Sequence, residues 1–316
     1  MSNRTIASHL RRRLAGKVAL GYLLIVVVLA LARGIIATSE PLLMRTADGV
    51  SFPAFRRGQA PTSVPDGAFV VRAPVPYSPD SVSLDRRLEG PSAEHPMGTD
   101  ELGRDVLARM IHGAAVSLAV GAAAAAIALL LGSLLGATAG YFGGAADWLI
   151  SRLIEVLACF PFLFLMLALV ALFQPSIGTL ILALGLTSWT SEARLVRGEF
   201  LRLREMDFAV AARASGAGDW RIIARHLMPN ALAPVIVLAS FGVASAILIE
   251  SALSFLGLGV PLPTSSWGSI LSSADDYIGH AWWLALFPGV AIFGTVVACN
   301  VIGESIREAM NPGGTT

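Results

Sequence analysis

The chain has 316 residues, of which 55% are hydrophobic and 14% charged, with a mean hydropathy of +0.69 and a formal net charge of +1. A soluble domain carries about 25% charged residues, so this chain is solvated mainly by lipid, and its charge balance offers nothing to nucleic acid. Lys17 is the only lysine and has no glycine six positions before it, which excludes a phosphate-cradling loop of the kind that needs a lysine. The two cysteines, Cys159 and Cys299, lie in apolar runs and imply no disulfide framework.

In chain order, Arg11, Arg12, Arg13 and Lys17 precede an apolar run from Val18 to Ala32. Because further spans follow and no clean small-residue cleavage site does, the run is expected to be a retained first helix, not a cleaved signal. A crossing needs about 20 apolar residues, which gives a first span over residues 17–37. A long polar stretch, 38–113, comes next, rich in proline and in both signs of charge. A second span is expected over 115–141, with Gly132, Gly136 and Gly140 four apart, the small-residue ridge that lets membrane helices approach closely. The charge-free run from Val156 to Ser191 is too long for one crossing. Gln174-Pro-Ser-Ile-Gly178 breaks it as a turn would, leaving spans near 153–173 and 177–196. A fifth span runs from Leu227 to about Leu258, and a sixth over 282–303. Six crossings put both termini on one side.

Arginine sets the orientation. Arg194, Arg197, Arg202, Arg204, Arg213, Arg221 and Arg225 cluster between the fourth and fifth spans, whereas the loop after the fifth carries only Asp275 and Asp276. By the positive-inside rule this arginine-rich island is cytoplasmic. The 38–113 stretch, longer than about 60 residues, is largely exempt from that rule and is expected outside.

The island, Phe208 to Asn230, reads as helix, turn, helix. Ala209, Ala211, Ala212 and Ala214 favour helix, Gly216 suits the left-handed closing position, and Asp219 suits the next N-cap. Small side chains would let the backbone enter a partner's groove, with Arg213 and Arg221 reaching acidic groups; an amphipathic helix lying on the membrane surface is the plain alternative. Thr99 can likewise cap a helix carrying Asp100 and Glu101 in its first turn. Leu102, Val106, Leu107, Met110 and Ile111 would form its apolar stripe at the outer membrane surface.

Ionisable groups inside spans mark buried or hydrated positions. Arg152 and Glu155, three apart, are expected to pair. Glu192 and Arg194 are expected at a solvated helix end. Glu250, after twenty-three uncharged residues and before Ser251-Ala-Leu-Ser254, should face either a partner helix or a transport cavity, with Ser254 beside it. The histidines at 9, 95, 112, 226 and 280 form no metal-ligand cluster, and no catalytic or cofactor-binding set is found.

Several motifs together resemble the permease subunits of binding-protein-dependent ABC importers. That family's cytoplasmic loop reads Glu-Ala-Ala, three residues, Gly, and a proline thirteen positions later. Ala211, Ala212, Gly216 and Pro229 match, while Val210 stands for the Glu and Met228 for the Leu before the proline. His95-Pro-Met-Gly-Thr-Asp-Glu-Leu-Gly-Arg-Asp-Val-Leu-Ala-Arg109, Ala139-Gly-Tyr-Phe-Gly-Gly144, Leu253-Ser-Phe-Leu-Gly-Leu-Gly-Val260 and Ser266-Trp-Gly268 extend the resemblance over about residues 95–310. They are most similar to the second, C-type permease of the dipeptide, oligopeptide and nickel group, with residues 40–72 as an insertion.

The resemblance implies an all-α membrane protein of type I ABC-importer permease architecture with six transmembrane helices. Its parts would be a cytoplasmic N-terminus and first helix (1–37), an extracytoplasmic loop (38–113), a five-helix core (114–304) containing the coupling loop 205–229, and a cytoplasmic tail (305–316). It implies a second permease subunit, two ATPase subunits that hold ATP and magnesium, and an extracytoplasmic solute-binding protein, in a bacterial inner membrane. The ATPase-coupling residues would be Ala211, Ala212, Arg213, Gly216, Asp219, Arg221 and Pro229, and the candidate translocation path Glu250 and Ser254. Peptide is the expected cargo, with nickel chelate or a peptide antibiotic as runners-up. A secondary transporter would use Glu155, Glu192 and Glu250 for protons but should show an internal repeat; an intramembrane hydrolase needs a nucleophile elbow or a His-Glu-x-x-His pair, and the sequence has neither.

Overall fold

The first amides of a long apolar helix need partners before the chain can continue without charge. Asp105 supplies one, its carboxylate accepting from the Ala108 amide at 2.7 Å, and α3 runs on from there as Val106–Phe142. The computed structural model describes residues 3–46, 49–55, 68–174 and 176–310. Ahead of α3 lie α1 (Asn3–Leu31), the single-turn α2 (Arg33–Ile36), and the strands β1 (Leu43–Thr46), β2 (Gly49–Ser51) and β3 (Phe69–Val71). The strands form an antiparallel sheet, ordered β2-β1-β3, with Arg45 opposite both Val50 and Phe69. This sheet falls inside the 40–72 insertion, part of which (47–48 and 56–67) lies outside the described residues.

After α3 come α4 (Gly144–Ala158), α5 (Phe162–Leu172), α6 (Ile177–Leu203), α7 (Asp207–Ala214), α8 (Asp219–Ile222), a π turn (Ile223–Leu227), α9 (Met228–Phe255), α10 (Trp267–Ser272) and α11 (Trp283–Met310). Among the described residues four helices are long and apolar enough to cross a membrane: Leu14–Leu31, Val106–Phe142, Pro234–Phe255 and Trp283–Ala309. Helices α4 and α5 meet at 89° and together would make a fifth. The sixth crossing expected from the sequence, 177–196, falls within α6, which is not among those four helices. The proline of the break before α6, position 175, lies outside the described residues, as do the side chains of Arg11, Arg12 and Arg13 and the tail 311–316. Ser176 is the N-cap of α6, accepting from the Thr179 amide at 3.0 Å.

The helix expected to begin at Thr99 begins at Val106 instead. Thr99 and Asp105 pair as an isolated antiparallel bridge, and Asp105, not Thr99, caps the helix. Leu102 is therefore in the preceding turn, and Val106 and Ile111 are buried within the start of the second span rather than in a separate surface helix.

The chain divides into two compact units, one of Met1–Leu20, Val120–Leu248 and Val296–Thr316, the other of Gly21–Ala119 and Ile249–Thr295. In the first, the glycine ridge of α3 meets α6. A Cβ added at Gly132 would lie 2.4 Å from the Glu192 Cβ, at Gly136 2.5 Å from the Ala193 carbonyl, and at Gly140 2.6 Å from the Phe200 Cβ. The ridge thus serves helix packing. Ala137, Val196, Phe200, Leu203, Ile222, Ile223, Leu227, Ala231 and Val235 form one buried cluster beside it. Substitution of Gly136 by leucine should push α6 away, an overpacking cost of about 1–3 kcal/mol or more, and lower both the membrane-extracted amount and its thermal midpoint. Gly198→Leu, with open space around the added Cβ, should leave both unchanged.

In the second unit, α1 packs on α11, with the Tyr22 hydroxyl donating to the Ala291 carbonyl at 3.1 Å. Gly294 leaves room for that ring, since a Cβ there would meet the Tyr22 oxygen at 2.8 Å. Ala37, Val75, Ala108 and Ile111 form a small buried cluster against the start of α3.

Candidate functional site

The arginine-rich island folds as a short helix, a glycine turn and a second short helix. Helix α7 closes in a Schellman motif: the Ala217 amide donates to the Ala212 carbonyl and the Gly216 amide to that of Arg213, at 3.1 and 3.0 Å. Gly216 sits at φ +78°, the left-handed region that only glycine enters without a steric penalty. Asp219 is the first residue of α8 and not its cap; the cap position is Gly218, without a side-chain bond. The Asp219 carboxylate instead accepts from the Tyr141 hydroxyl at 2.6 Å, and Arg213 lies over the same ring, 5.9 Å from its centre. Arg213 also donates to the Arg204 carbonyl, and Arg204 donates to the Gly140 and Tyr141 carbonyls at the end of α3. Charges expected to reach a partner are thus partly spent on holding the island to α3.

Ile222, Ile223 and Leu227 fix the other side, each buried in the cluster with Phe200 and Val235. Ala209 is buried and Ala212 half-buried against that cluster, whereas Ala211, Arg213, Gly216, Arg221 and Pro229 are exposed. The alanines therefore seat the island on its own protein at least as much as they thin its outer face. What faces outward is apolar and large: Met206, Phe208 and Val210, with Trp220 73% exposed. The described residues leave these four side chains uncovered. Sequence alone does not single these side chains out, because Phe208, Val210 and Trp220 sit among arginines and alanines.

Glu250 is fully buried, as expected for a charge inside a span, and faces a neighbouring helix. Its carboxylate accepts from Ser254 at 2.8 Å, from Ser117 of α3 at 3.2 Å and from Ser251 at 3.5 Å. Ser117 in turn accepts from the Trp267 amide, and Ser254 from the Val260 amide, each at 3.2 Å. This serine-lined carboxylate ties α9 to α3 and organises the chain around Leu253–Val260 and the start of α10. Gly268 makes that possible, since a Cβ there would lie 2.6 Å from the Ser251 Cα.

The 95–109 motif is a buried ionic knot. Asp100 accepts from the Leu102 and Arg104 amides, from Arg104 Nε at 2.7 Å and from Arg109 Nη1. Arg109 is fully buried and also donates to Ser265 at 3.1 Å. His95 Nδ1 pairs with Asp105 at 2.8 Å, and the Trp283 indole donates to the Thr99 carbonyl. At the exposed edge, the Glu94 carboxylate bonds and attracts Arg86, holding its guanidinium above its ordinary pKa. Arg152 and Glu155 pair as expected, at 2.6 Å on an exposed face.

Glu192 corrects the sequence reading. It is 6% exposed rather than solvated, because α6 does not end there but continues to Leu203. Trp189, Glu192, Val196, Phe200 and Leu203, at spacings of three and four, are all buried along one stripe of α6. That spacing was the sequence signal, and the neighbouring Arg194 obscured it. Glu192 opens on a cavity of about 280 Å³ whose wall also includes Phe162, Ser188, Ser191, Phe241 and Ser245. Glu250 does not line this cavity. Among the described residues no three His, Cys, Asp or Glu side chains are grouped so as to hold a metal.

Comparison with known proteins agrees with this geometry. Residues 128–313 match the family described as binding-protein-dependent transport system inner membrane component. A dipeptide transport system permease protein of Alkalihalophilus pseudofirmus is 44% identical over 226 residues, 72% of this chain and 74% of that one. The corresponding Bacillus subtilis protein is 42% identical over 77% of this chain and 78% of its own. A probable D,D-dipeptide transport system permease protein of Escherichia coli is 39% identical over 75% and 79%. Among solved structures, the inward-facing MetNI methionine ABC transporter matches with a TM-score of 0.51 at 20% identity, over 63% of this chain and 94% of that chain. At that identity the likeness speaks for the fold alone. A mostly helical chain with a braced island before its α9 span, matched over more than half its length by the family and by relatives above 30% identity, belongs to the binding-protein-dependent transport-system inner-membrane components, the permease subunits of ABC importers, in their dipeptide and oligopeptide group.

Proposed function

We propose that this chain is one of two membrane-spanning halves of an ATP-driven importer for short peptides, and that residues 205–229 are where ATP hydrolysis on a separate subunit is felt. The observation that carries the reading is the island itself. It is fastened to α3 through Tyr141, Arg204 and Arg213 and to the buried cluster through Ile222 and Leu227, while Phe208, Val210 and Trp220 stand outward. A force applied at Trp220 would pass to α3, α6 and α9 through packed side chains rather than through a loose linker. Peptide cargo follows from the relatives named above. The partners of this reading are a second permease, two ATPase subunits carrying ATP and magnesium, and an extracytoplasmic binding protein. The chain would perform no bond chemistry itself, moving cargo by alternating access in a bacterial inner membrane.

The same reading gives six crossings, counting α6, with both termini and the island in the cytoplasm. Arginine count supports the orientation. Two reporters test it: Ser215→Cys on the island and Leu262→Cys, 71% exposed in the turn before α10, each with Cys159 and Cys299 replaced by alanine. In intact cells with a permeabilised outer envelope, a membrane-impermeant maleimide should label position 262 and spare 215 until the cells are lysed. Cells lacking the chain should also fail to take up a labelled dipeptide and recover on complementation. Equal labelling of both sites would remove the six-crossing topology, and undiminished dipeptide uptake would remove the peptide cargo.

A further inference from the structure

A carboxylate taken out of water needs a partner for each oxygen. Glu192 Oε2 is buried and has none among the described residues, and no ion pair to Glu192 exists there either. Among the described residues Glu101 Oε2 is also buried without a partner, but its Oε1 accepts from Arg104 at 3.0 Å; Asp100 is served by two arginines, Asp105 by His95 and Glu250 by serines. Glu192 differs in facing an opening. The packing makes the opening: Gly132 lets α6 lie against α3 behind Glu192, and Gly242 of α9 leaves out a Cβ that would stand 3.7 Å from Oε1. The same cavity is lined by the hydroxyl-bearing Ser188, Ser191 and Ser245 and by the aromatic Phe162 and Phe241.

We propose that this cavity is a binding site for a primary ammonium group, and, resting on the peptide reading above, that the group is the amino terminus of a peptide in transit. An ammonium offers three donors and no acceptor. Glu192 Oε2 takes one, and the serine hydroxyls supply acceptors for the others. The phenylalanine faces attract a desolvated cation. A carboxylate group of cargo would meet like charge here, so the site gives the peptide a direction: amino end at Glu192. The remaining volume, about 280 Å³ in all, holds an ammonium and the first side chain rather than a long peptide.

Two measurements on the full chain in its native membrane test this. In the first, Ser188→Cys, with Cys159 and Cys299 replaced by alanine, is treated with methanethiosulfonates bearing an aminoethyl or a neutral hydroxyethyl group. With Glu192 present, the cationic reagent should react about tenfold faster relative to the neutral one than when Glu192 is glutamine, since a charge in a low-dielectric pocket is weakly screened. An equal ratio in both backgrounds overturns the site. In the second, Glu192→Gln should raise the apparent KM for uptake of a free-amine dipeptide by about tenfold at normal membrane abundance, with Glu192→Asp restoring most of it. An unchanged KM overturns the ammonium assignment while leaving peptide import intact. If the wild-type chain imports no dipeptide, the cargo reading fails and the reagent ratio still decides whether the cavity selects cations.

Discussion

Replacing Trp220 by aspartate should leave the chain inserted in the membrane yet reduce import to background, with loss of the ATPase subunits on purification. Trp220 is the most exposed of the four large apolar side chains on the island and belongs to none of its buried clusters, so its removal costs the fold little. Buried tryptophans at interfaces are typical hot spots, each worth about 2 kcal/mol or more, and an aspartate would add an unpaired charge to the same contact. Phe208→Asp should behave alike. Gly216→Asp acts differently: space around it is open, but the left-handed turn at φ +78° penalises any side chain by about 1–2 kcal/mol, loosening α7 against α8. Ala212→Asp places a charge against the buried cluster and should reduce the amount of folded chain as well as coupling. Arg202→Ala removes an exposed pair with Glu199 and a 4.0 Å contact to the Met206 sulfur, together worth about 0–1 kcal/mol, and should import normally. Retention of the ATPases and full import by both Trp220→Asp and Phe208→Asp would show that this surface is not the coupling contact.

Asp100→Ala should be the most destabilising single change in the 95–109 segment. It strips Arg109 of its only carboxylate partner among the described residues while that guanidinium stays fully buried. It also frees the Leu102 and Arg104 amides that Asp100 Oδ1 accepts. Breaking a buried pair from one side costs about 3–5 kcal/mol, set against a total stability of about 5–15 kcal/mol for a typical domain. The amount of chain recovered in mild detergent should fall sharply, and its unfolding midpoint with it. Adding Arg109→Met to Asp100→Ala should recover part of the loss, because an apolar side chain leaves no charge unpaired. If the single change accumulates and melts like the wild type, the knot contributes nothing to stability, and a role for the segment must be sought elsewhere.

Much of this protein was legible without coordinates. Hydropathy alone marks the long helices α1, α3, α9 and α11, because a run without charge has one environment in which it can lie. The Gly132, Gly136 and Gly140 ridge announces a close helix contact through its spacing, and the left-handed turn at Gly216 through its residue type. These are local or one-helix properties, and a sequence carries them in full. The tertiary structure decided what each charge faces. Thr99 reads as a cap, yet Asp105 is nearer the first free amides once the Thr99–Asp105 bridge forms. Asp219 also reads as a cap but is drawn to Tyr141, seventy-eight residues away. Glu192 reads as a helix end because Arg194 follows it, and it lies buried because α6 continues and α3 presents glycine to it. Glu250 finds its serine on α3, 133 residues earlier in the chain. A side chain's partner across a helix interface depends on rotation and register of both helices, and no stretch of sequence around the residue records either one.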